Sequence, residues 1–428
     1  MYFQDMRMHF SSMTRSLFVL ILLLCTQLFS EPVVINGSMI GRLKGKPLSS
    51  LRICDHHGKP VPFQIDEMTG EGEYVLPDGE SPNTDSGNGV LDDVDEIVFL
   101  WEDCSIVKEE YTPDANWNIV RIERNSEIRE VFISDDPSIP VSSVNYMNYD
   151  HGSQLLITPF YYAQFRKNRF HFIGAGVKNL SGNGFIDLTA ELKIEIMLRA
   201  LWGLIPIHYT EENIICVVKR YKAGPLRLIR RGDFHLNLGL GIKGSRAAVN
   251  QICYPQIVNV PVYVHVPIRF RSLFGDAYLD MAPVIKKRAE NFSFKIPQAS
   301  FSENIKGYSI DTMINLNPNH RFMGVTDGLS GYGWVLQATI PDSLLEGSGF
   351  LFSRPSSRSG AADCGFRIKI RDLQKGHYYI SNWVIFPVES YNLVMQNFQN
   401  VIKPLSVYTR DGQFTNLLSA PAKKLKRK

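Results

Sequence analysis

The sequence predicts an all-β protein, with a large antiparallel β-sandwich body preceded by a small N-terminal β-module. Three observations predict it. Apolar and polar residues alternate with period two through many short segments, and the turn dipeptides NG, DG, GN and SG recur between them. Only DSLLEG and the stretch around YNLVMQNFQNVI carry helical spacing. At 428 residues the chain exceeds a usual single domain, and 44% hydrophobic with 21% charged residues suits a chain that buries a core. Helix should fall below about one fifth of the residues, against a usual third.

The segments follow in order. Arg7 and Arg15 precede the apolar run LFVLILLLC (17–25), and Ser30 follows. A basic n-region, a short h-region and a small residue describe a signal peptide over 1–30, so the mature chain is expected to be exported, periplasmic or extracellular. That run is shorter than the roughly 20 apolar residues a membrane helix needs, and no later stretch reaches that length. Residues 31–110 form the expected N-terminal module, carried by VVING and EIVFLW. Residues 111–395 form the expected body. Its strands are NIVRIER, REVFIS, AELKIEIML, PLRLIRR, FHLNLGLGI, VYVHVPIRF, GWVLQATIP, GFRIKIRD and HYYISNWVIF. In each, alternate residues reach one face, and β-branched and aromatic side chains fit that pleated surface. DDPSIPVSS (135–143) and FSRPSSRSGAADCG (352–365) read as long surface loops. Residues 396–428 are a C-terminal segment with a basic tail, expected to be loose after about 405.

Charge is unevenly placed. The net charge is +3, but the tail KKLKRK (423–428) holds five bases on a chain end, so nucleic-acid binding is not indicated. Residues 60–107 contain thirteen Asp or Glu and no Lys or Arg, whereas KRYKAGPLRLIRR (219–231) contains six bases and no acid. Beyond Cys25 the cysteines are Cys54, Cys104, Cys216, Cys253 and Cys364, an odd number without CxxC spacing. That excludes a zinc ribbon or thioredoxin-type motif. It leaves two readings, one or two disulfides or five small buried hydrophobes.

The stretch TDSGNGVLDDVDEIVFLWED (84–103) is an acidic, Gly-punctuated loop entering an apolar strand. Aligned to a calcium loop with Gly89 at position 6, it puts Thr84 at 1, Ser86 at 3, Asn88 at 5, Asp92 at 9 and Asp95 at 12. Asn88, Asp92 and Asp95 are the candidate metal ligands, and calcium is the one cofactor left open. Positions 1 and 3 carry neutral hydroxyls, however, and flanking helices are missing. The residues favour a turn at Asn88-Gly89 delivering IVFLW into a sheet. Asp92, Asp93, Asp95 and Glu96 would then be solvated or hydrogen-bonded to the turn backbone.

LRICDHHGKPVPFQIDE (51–67), followed by GNGVLDDVDEIVFLW (87–101), resembles the N-terminal signature of exported bacterial β-proteins of unknown function. In those a G-x-x-V-P-x-Q-x-D strand pair precedes a Gly/Asp turn and a D-E-[IL]-V-F strand. AGPLRLIRR (223–231) resembles their GP-x-R-x-x-x-R strand. The resemblance covers about 36–104 and 217–240. It implies an exported β-sandwich with distant polysaccharide-lyase-like or mutarotase-like relatives, and so a polysaccharide partner; it assigns no catalytic residue.

A lyase needs a base, an acid and a cation to neutralise a uronate carboxylate. His208 and Tyr209 supply a base and an acid, and Arg231 with His235 supply a cation and a second titratable group. Alternation lets Arg231, Asp233 and His235 share a face with Arg230 opposite. A glycosidase would need facing carboxylates, but Asp66/Glu67 and Asp95/Glu96 are adjacent on strands and point apart. No GxSxG, HExxH, P-loop or dinucleotide fingerprint is present. WGLIPIHY (202–209) and YGWVL (332–336) offer aromatics for sugar stacking or for the core. Two classes remain: a protein that binds or processes an exported glycan, and a non-catalytic envelope protein that binds a protein or lipid-rich partner. Oligomeric state is not legible.

Overall fold

The computed structural model describes residues 31–107, 117–124, 126–179, 184–210, 214, 216–237, 243–296, 301–306, 312–316, 321–326, 333–353, 360–386, 405–409 and 412–415. Strand makes up 58% and helix 9%, and the described helical segments are all short 3₁₀ turns. The signal-peptide segment and YNLVMQNFQNVI lie outside the described residues. No described helix is long and apolar enough to cross a membrane.

Two ten-stranded antiparallel sheets form the body. The front sheet runs from Phe301–Asn304 at one edge, through Gly376–Ile385, Ile257–Val266, Lys243–Cys253, Leu228–Asn237 and Cys216–Ala223, to Asp78–Gly79 at the other. The back sheet runs from Thr312–Asn315, through Gly360–Lys369, Phe274–Lys286 and Phe185–Ala200, to Asn148–Asp150; Ile205–Tyr209 also pairs with Phe185–Ala200. Period-two patterning decides which residues meet between them. Val260, Val262 and Val264 of the front sheet face Ile194, Ile196, Leu279 and Met281 of the back sheet across a shared apolar space. The residues that alternate with those valines, Pro261, Tyr263 and His265, therefore lie on the outer face. Phe294 and Phe352 stack across the two sheets at 4.8 Å.

The N-terminal part covers one region of the front sheet's outer face. Glu96–Leu100 pairs with Pro32–Asn36 on one side and Phe63–Asp66 on the other. A six-stranded sheet stands beside this, built from Arg52–Cys54, Ser105–Ile106, Asn118–Arg124, Glu127–Ser134, Ser406–Thr409 and Gly412–Thr415. It thus spans the boundary expected at 110. Val33, Ile35, Ile97 and Phe99 share one core with Val120, Ile122, Val131 and Ile133, and with Ile229, Ile252 and Ile257 of the front sheet.

Two expectations are corrected. The described residues after 405 are not loose: Ser406–Thr409 pairs with Asn118–Arg124, and Val407 is fully buried. The GAADCG of the supposed 352–365 loop belongs to the strand Gly360–Lys369, with Ala362, Cys364 and Phe366 in the core. Its small residues read as a loop, but at Gly365 the neighbouring strand Phe274–Lys286 approaches closely, since a Cβ there would meet Met281 O at 2.0 Å. Of the two cysteine readings the structure favours the second: Cys54, Cys104, Cys216, Cys253 and Cys364 are free thiols, and all but Cys216 are buried. DDPSIPVSS lies outside strands and helices, and DSLLEG gives only the 3₁₀ turn Asp342–Leu344.

Candidate functional site

The acidic and basic segments lie against each other. Asp66 stands opposite Glu96 in the strand register, and both carboxylates take the guanidinium of Arg227. Its Nε donates to Asp66 Oδ2 at 2.6 Å and its Nη2 to Glu96 Oε2 at 2.7 Å, while Nη1 donates to the Tyr254 hydroxyl at 3.1 Å. Lys222 Nζ lies 2.9 Å from Asp66 Oδ1. Gln64 Oε1 accepts the backbone N–H groups of Leu226 and Arg227 at 3.2 and 3.0 Å, and its Nε2 donates to Asp66 at 2.9 Å. Asp66 and Arg227 side chains are each 1% exposed, so their charges persist only because they are paired. Burial would raise the Asp66 pKa, but Arg227 and Lys222 outweigh it and hold the carboxyl below its ordinary range. At Gly224 a Cβ would sit 2.1 Å from Gln64 Oε1, so glycine admits the approach. The V-P-x-Q-x-D and GP-x-R signatures are therefore two halves of one clasp joining the N-terminal part to the front sheet. Glu73 extends it, with Oε1 3.2 Å from Arg231 Nη2 and Oε2 3.7 Å from Arg220 Nη2. Asp66, Glu73 and Glu96 of the acidic segment thus pair with Arg220, Lys222, Arg227 and Arg231 of the basic one.

The 84–96 loop is a clamped turn. Gly89 adopts φ +70°, the left-handed conformation that an Asn-Gly reversal supplies. The Glu67 carboxylate accepts the N–H groups of Asn88 and, at 2.7 Å, Gly89. Asn88 Oδ1 accepts from Val90 N and Asp92 Oδ1 from Val94 N, each at 3.0 Å. Asp95 takes Met68 N and Asp92 N on its two oxygens, both at 2.8 Å. The candidate ligands thus cap backbone donors. Among the described residues no group of three or more His, Cys, Asp or Glu is disposed to hold a metal. Asp93 pairs with Lys44 at the surface. Asp95 bonds the turn backbone as expected but is fully buried, which raises its pKa against the opposing pull of its backbone donors; Glu96 departs from expectation, drawn inward to Arg227. The cause is docking of the loop on 37–46, through Gly37 N to Asp95 O and Leu91 N to Lys46 O at 3.0 and 2.8 Å.

The proposed catalytic set is not brought together. Tyr209 pairs with Ile196 and His208 with Met197. Ile196 faces the interior, so Tyr209 points inward and His208 outward from the back sheet. His208 Nε2 is 3.6 Å from Glu195 Oε1 there. Arg231 lies on the outer face of the other sheet, since Arg230 turns inward onto the Phe165 ring, 3.9 Å away. The backbone of His235 pairs with Arg246 on the Arg231 strand. The whole sandwich, about 10 Å between sheets, separates His208 from Arg231. Period-two reasoning assigned each residue a face but not a sheet.

The structure gathers a different group on the outer face of the front sheet. Asp233, Ala248, Tyr263 and Tyr379 are successive cross-strand partners, as are His265 and His377 one pleat further on. The Tyr263 and Tyr379 rings are 5.2 Å apart, and the His265 and His377 rings 4.7 Å. Arg231 donates to Asn250 Oδ1 at 3.0 Å and to Glu73 at 3.2 Å. Burial pushes the Tyr263 hydroxyl up to about 12, Tyr379 and Glu96 add to that, and Arg231 opposes it, so these groups share one electrostatic neighbourhood. From Arg231 to the histidine pair the strip extends roughly 13 Å along the strands and roughly 14 Å across them. Apolar ring faces beside the partly exposed Asp233 and Glu73 carboxylates suit a hydroxyl-rich ligand that also has apolar C–H faces. Sequence reasoning missed this strip. The signal was the Tyr-x-His of VYVHV and the His-x-Tyr of HYYIS, whose spacing of two puts each pair on one face.

No family model matches the chain, and no curated protein matches it in sequence. Among solved structures it is similar to an alpha-mannosidase from Enterococcus faecalis V583, with TM-score 0.48 and 8% identity, over 89% of this chain and 44% of the mannosidase. The chain therefore spans less than half the length of that protein. It is also similar to Slr1438 of Synechocystis sp. PCC 6803, with TM-score 0.34 and 6% identity over 58% of this chain and 98% of that one. A third likeness is to heparan sulfate lyase HepC from Pedobacter heparinus, with TM-score 0.26 and 8% identity over 47% and 28%. All three fall below a TM-score of 0.5, and the functional reading rests on the side chains.

Proposed function

We propose that the protein is exported and binds a glycan on the outer face of the front sheet. The registered strip of Tyr263, Tyr379, His265 and His377 beside Asp233 carries the reading. Rings at cross-strand spacing offer stacking surfaces, and the carboxylates of Asp233 and Glu73 accept hydroxyl hydrogens. Arg231 is engaged by Glu73 and Asn250, so the strip suits a neutral glycan better than a sulfated one. The role is recognition: Asp233 and Glu73 both lie against the Arg231 guanidinium, and Asp66 with Glu96 is committed to Arg227.

Affinity electrophoresis against neutral, uronate-containing and sulfated polysaccharides tests this. Retardation by a neutral glycan is expected, reduced at least tenfold in Tyr379→Ala with the melting temperature retained. Retardation by none of them, or an unaltered Tyr379→Ala, would overturn it. One observation favours a second reading, an envelope protein with a lipid-rich partner: Leu201, Leu204 and Ile205 stand exposed on one turn, Leu204 at 80%.

A further inference from the structure

Arg227 and Arg230 stand three residues apart, and both side chains are fully buried. Arg227 has two carboxylates. The hydrogen-bond partners of Arg230 are neutral: Gln251 Oε1 at 2.6 Å, the Arg169 carbonyl at 2.8 Å and Gln154 Oε1 at 3.5 Å. Its Nε has no partner among the described residues, and burial lowers its pKa. A dry guanidinium held only by neutral groups is a costly arrangement, and it fits an anion better than it fits the side chains around it.

What adjoins Arg230 identifies the rest of the ligand. Phe165, which lies under its guanidinium, and Gln251, which accepts from it, both line a cavity of about 70 Å³. Phe170, Val260 and Met281 are shared between that cavity and a second apolar one of about 140 Å³. The larger lobe extends toward Phe270. Phe270 packs on Phe274 at 5.4 Å, and Phe274 is the cross-strand partner of Ala200, which precedes the exposed Leu201 turn. An apolar cavity of about 150 Å³ accommodates a benzene-sized molecule, so the two lobes together suit a hydrocarbon tail of about eight carbons.

We propose that the sandwich interior binds a medium-chain fatty carboxylate, its head on Arg230 and its tail in the adjoining apolar lobes. The geometry supplies both requirements: a buried cation that no carboxylate pairs with among the described residues, and two apolar cavities that share Phe170, Val260 and Met281, the smaller lined by the cation's own neighbours Phe165 and Gln251. Tyr149, whose hydroxyl donates to Gln154 at 3.1 Å, and Tyr221, the cross-strand partner of Arg230, separate this head-group site from the exposed His151. The site lies inside the sandwich and is independent of the outer-face strip.

Calorimetric titration of the purified full chain with sodium octanoate, octanol and sodium acetate tests it. Octanoate should bind at least tenfold more tightly than octanol, and acetate should give no saturable heat. Arg230→Met should remove the preference for octanoate while octanol still binds, and Ala247→Leu, which fills the larger lobe, should weaken both. Equal affinity for octanol and octanoate would overturn the head-group assignment. Acetate binding as tightly as octanoate would overturn the tail assignment, and no heat with any of the three would overturn the whole. Should Arg230→Met fail to fold, the three-ligand series on the unaltered protein still decides.

Discussion

Replacing Arg227 with methionine removes the centre of the clasp while keeping most of its volume. Two charge-assisted hydrogen bonds disappear, to Asp66 and Glu96, together with the bond to Tyr254. Charge-assisted bonds contribute about 1.5–3 kcal/mol each, and breaking a buried pair from one side costs about 3–5 kcal/mol because a charge is left dry. Lys222 still faces Asp66 and limits the loss, so about 4 kcal/mol is expected. Arg227→Lys keeps one charge but cannot reach both carboxylates, and should lose about 2 kcal/mol. Since the clasp joins two parts of the chain, the effect should be regional. Trp101 is buried in the N-terminal core, and its fluorescence, read with the other four tryptophans replaced by phenylalanine, should report an earlier urea transition than far-ultraviolet circular dichroism, which is dominated by the sandwich. Adding Asp66→Leu to Arg227→Met should recover about 2 kcal/mol, because the stranded carboxylate is gone. An Arg227→Met protein within about 1 kcal/mol of the parent, with coincident transitions, would refute the reasoning.

Further outcomes follow from neighbouring groups. Gly224→Ala drives a methyl into Gln64 Oε1 and should lose about 1–3 kcal/mol in urea unfolding; an unchanged midpoint would mean that the close approach relaxes without strain. Asp95→Asn presents an amide to Met68 N or Asp92 N and should lose about 1–3 kcal/mol. We propose that this loss is the same with calcium as with chelator, and a calcium melting shift of many degrees in the parent, abolished by Asp95→Asn, would make the loop a structural metal site. The pKa of Asp66 is depressed in the folded state, so its stabilisation is fully present above the unfolded value of about 3.9 and is lost as pH falls through the folded value. The destabilisation caused by Asp66→Asn, measured at pH 7, should therefore shrink below about pH 4, and a cost that grew on acidification would contradict the assigned sign.

The strands were largely legible because burial on one face imposes a period of two, and that period survives in NIVRIER, VYVHVPIRF and GFRIKIRD. Pairing was not legible, because register is set by non-local contacts. Ser406–Thr409 returns to Asn118–Arg124 across almost 300 residues, and nothing local in SVYT names its partner. The same limit separated His208 from Arg231. For the acids the failure had another cause. Adjacent acids such as Asp95 and Glu96 do point apart, yet the partner of Glu96 lies across the strand at Asp66, with Arg227 between them. The charge blocks at 60–107 and 219–231 carried the signal that they meet, since segments of opposite sign attract each other.

The run PLRLIRR shows why residue type alone could not allocate function. Arg227 enters a dry clasp, Arg230 turns into the sandwich, and Arg231 emerges on its outer face, all within five residues. Their fates are fixed by what the other chain segments bring. Two carboxylates reach Arg227 and two reach Arg231, Glu73 at 3.2 Å and Asp233 at 3.9 Å, whereas glutamines and a carbonyl reach Arg230. A guanidinium with matched carboxylates is complete as a structural element, so substitution should be read out as stability. One with neutral partners beside an apolar chamber retains its full charge for a ligand, so substitution should be read out as binding. Arg227→Met and Arg230→Met, made in the same protein and measured by both urea unfolding and octanoate titration, should therefore separate. The first should shift unfolding and the second should shift affinity. If Arg230→Met instead destabilised the fold as much as Arg227→Met, with octanoate affinity unchanged, its surroundings would already satisfy the charge and the distinction between the two arginines would fail.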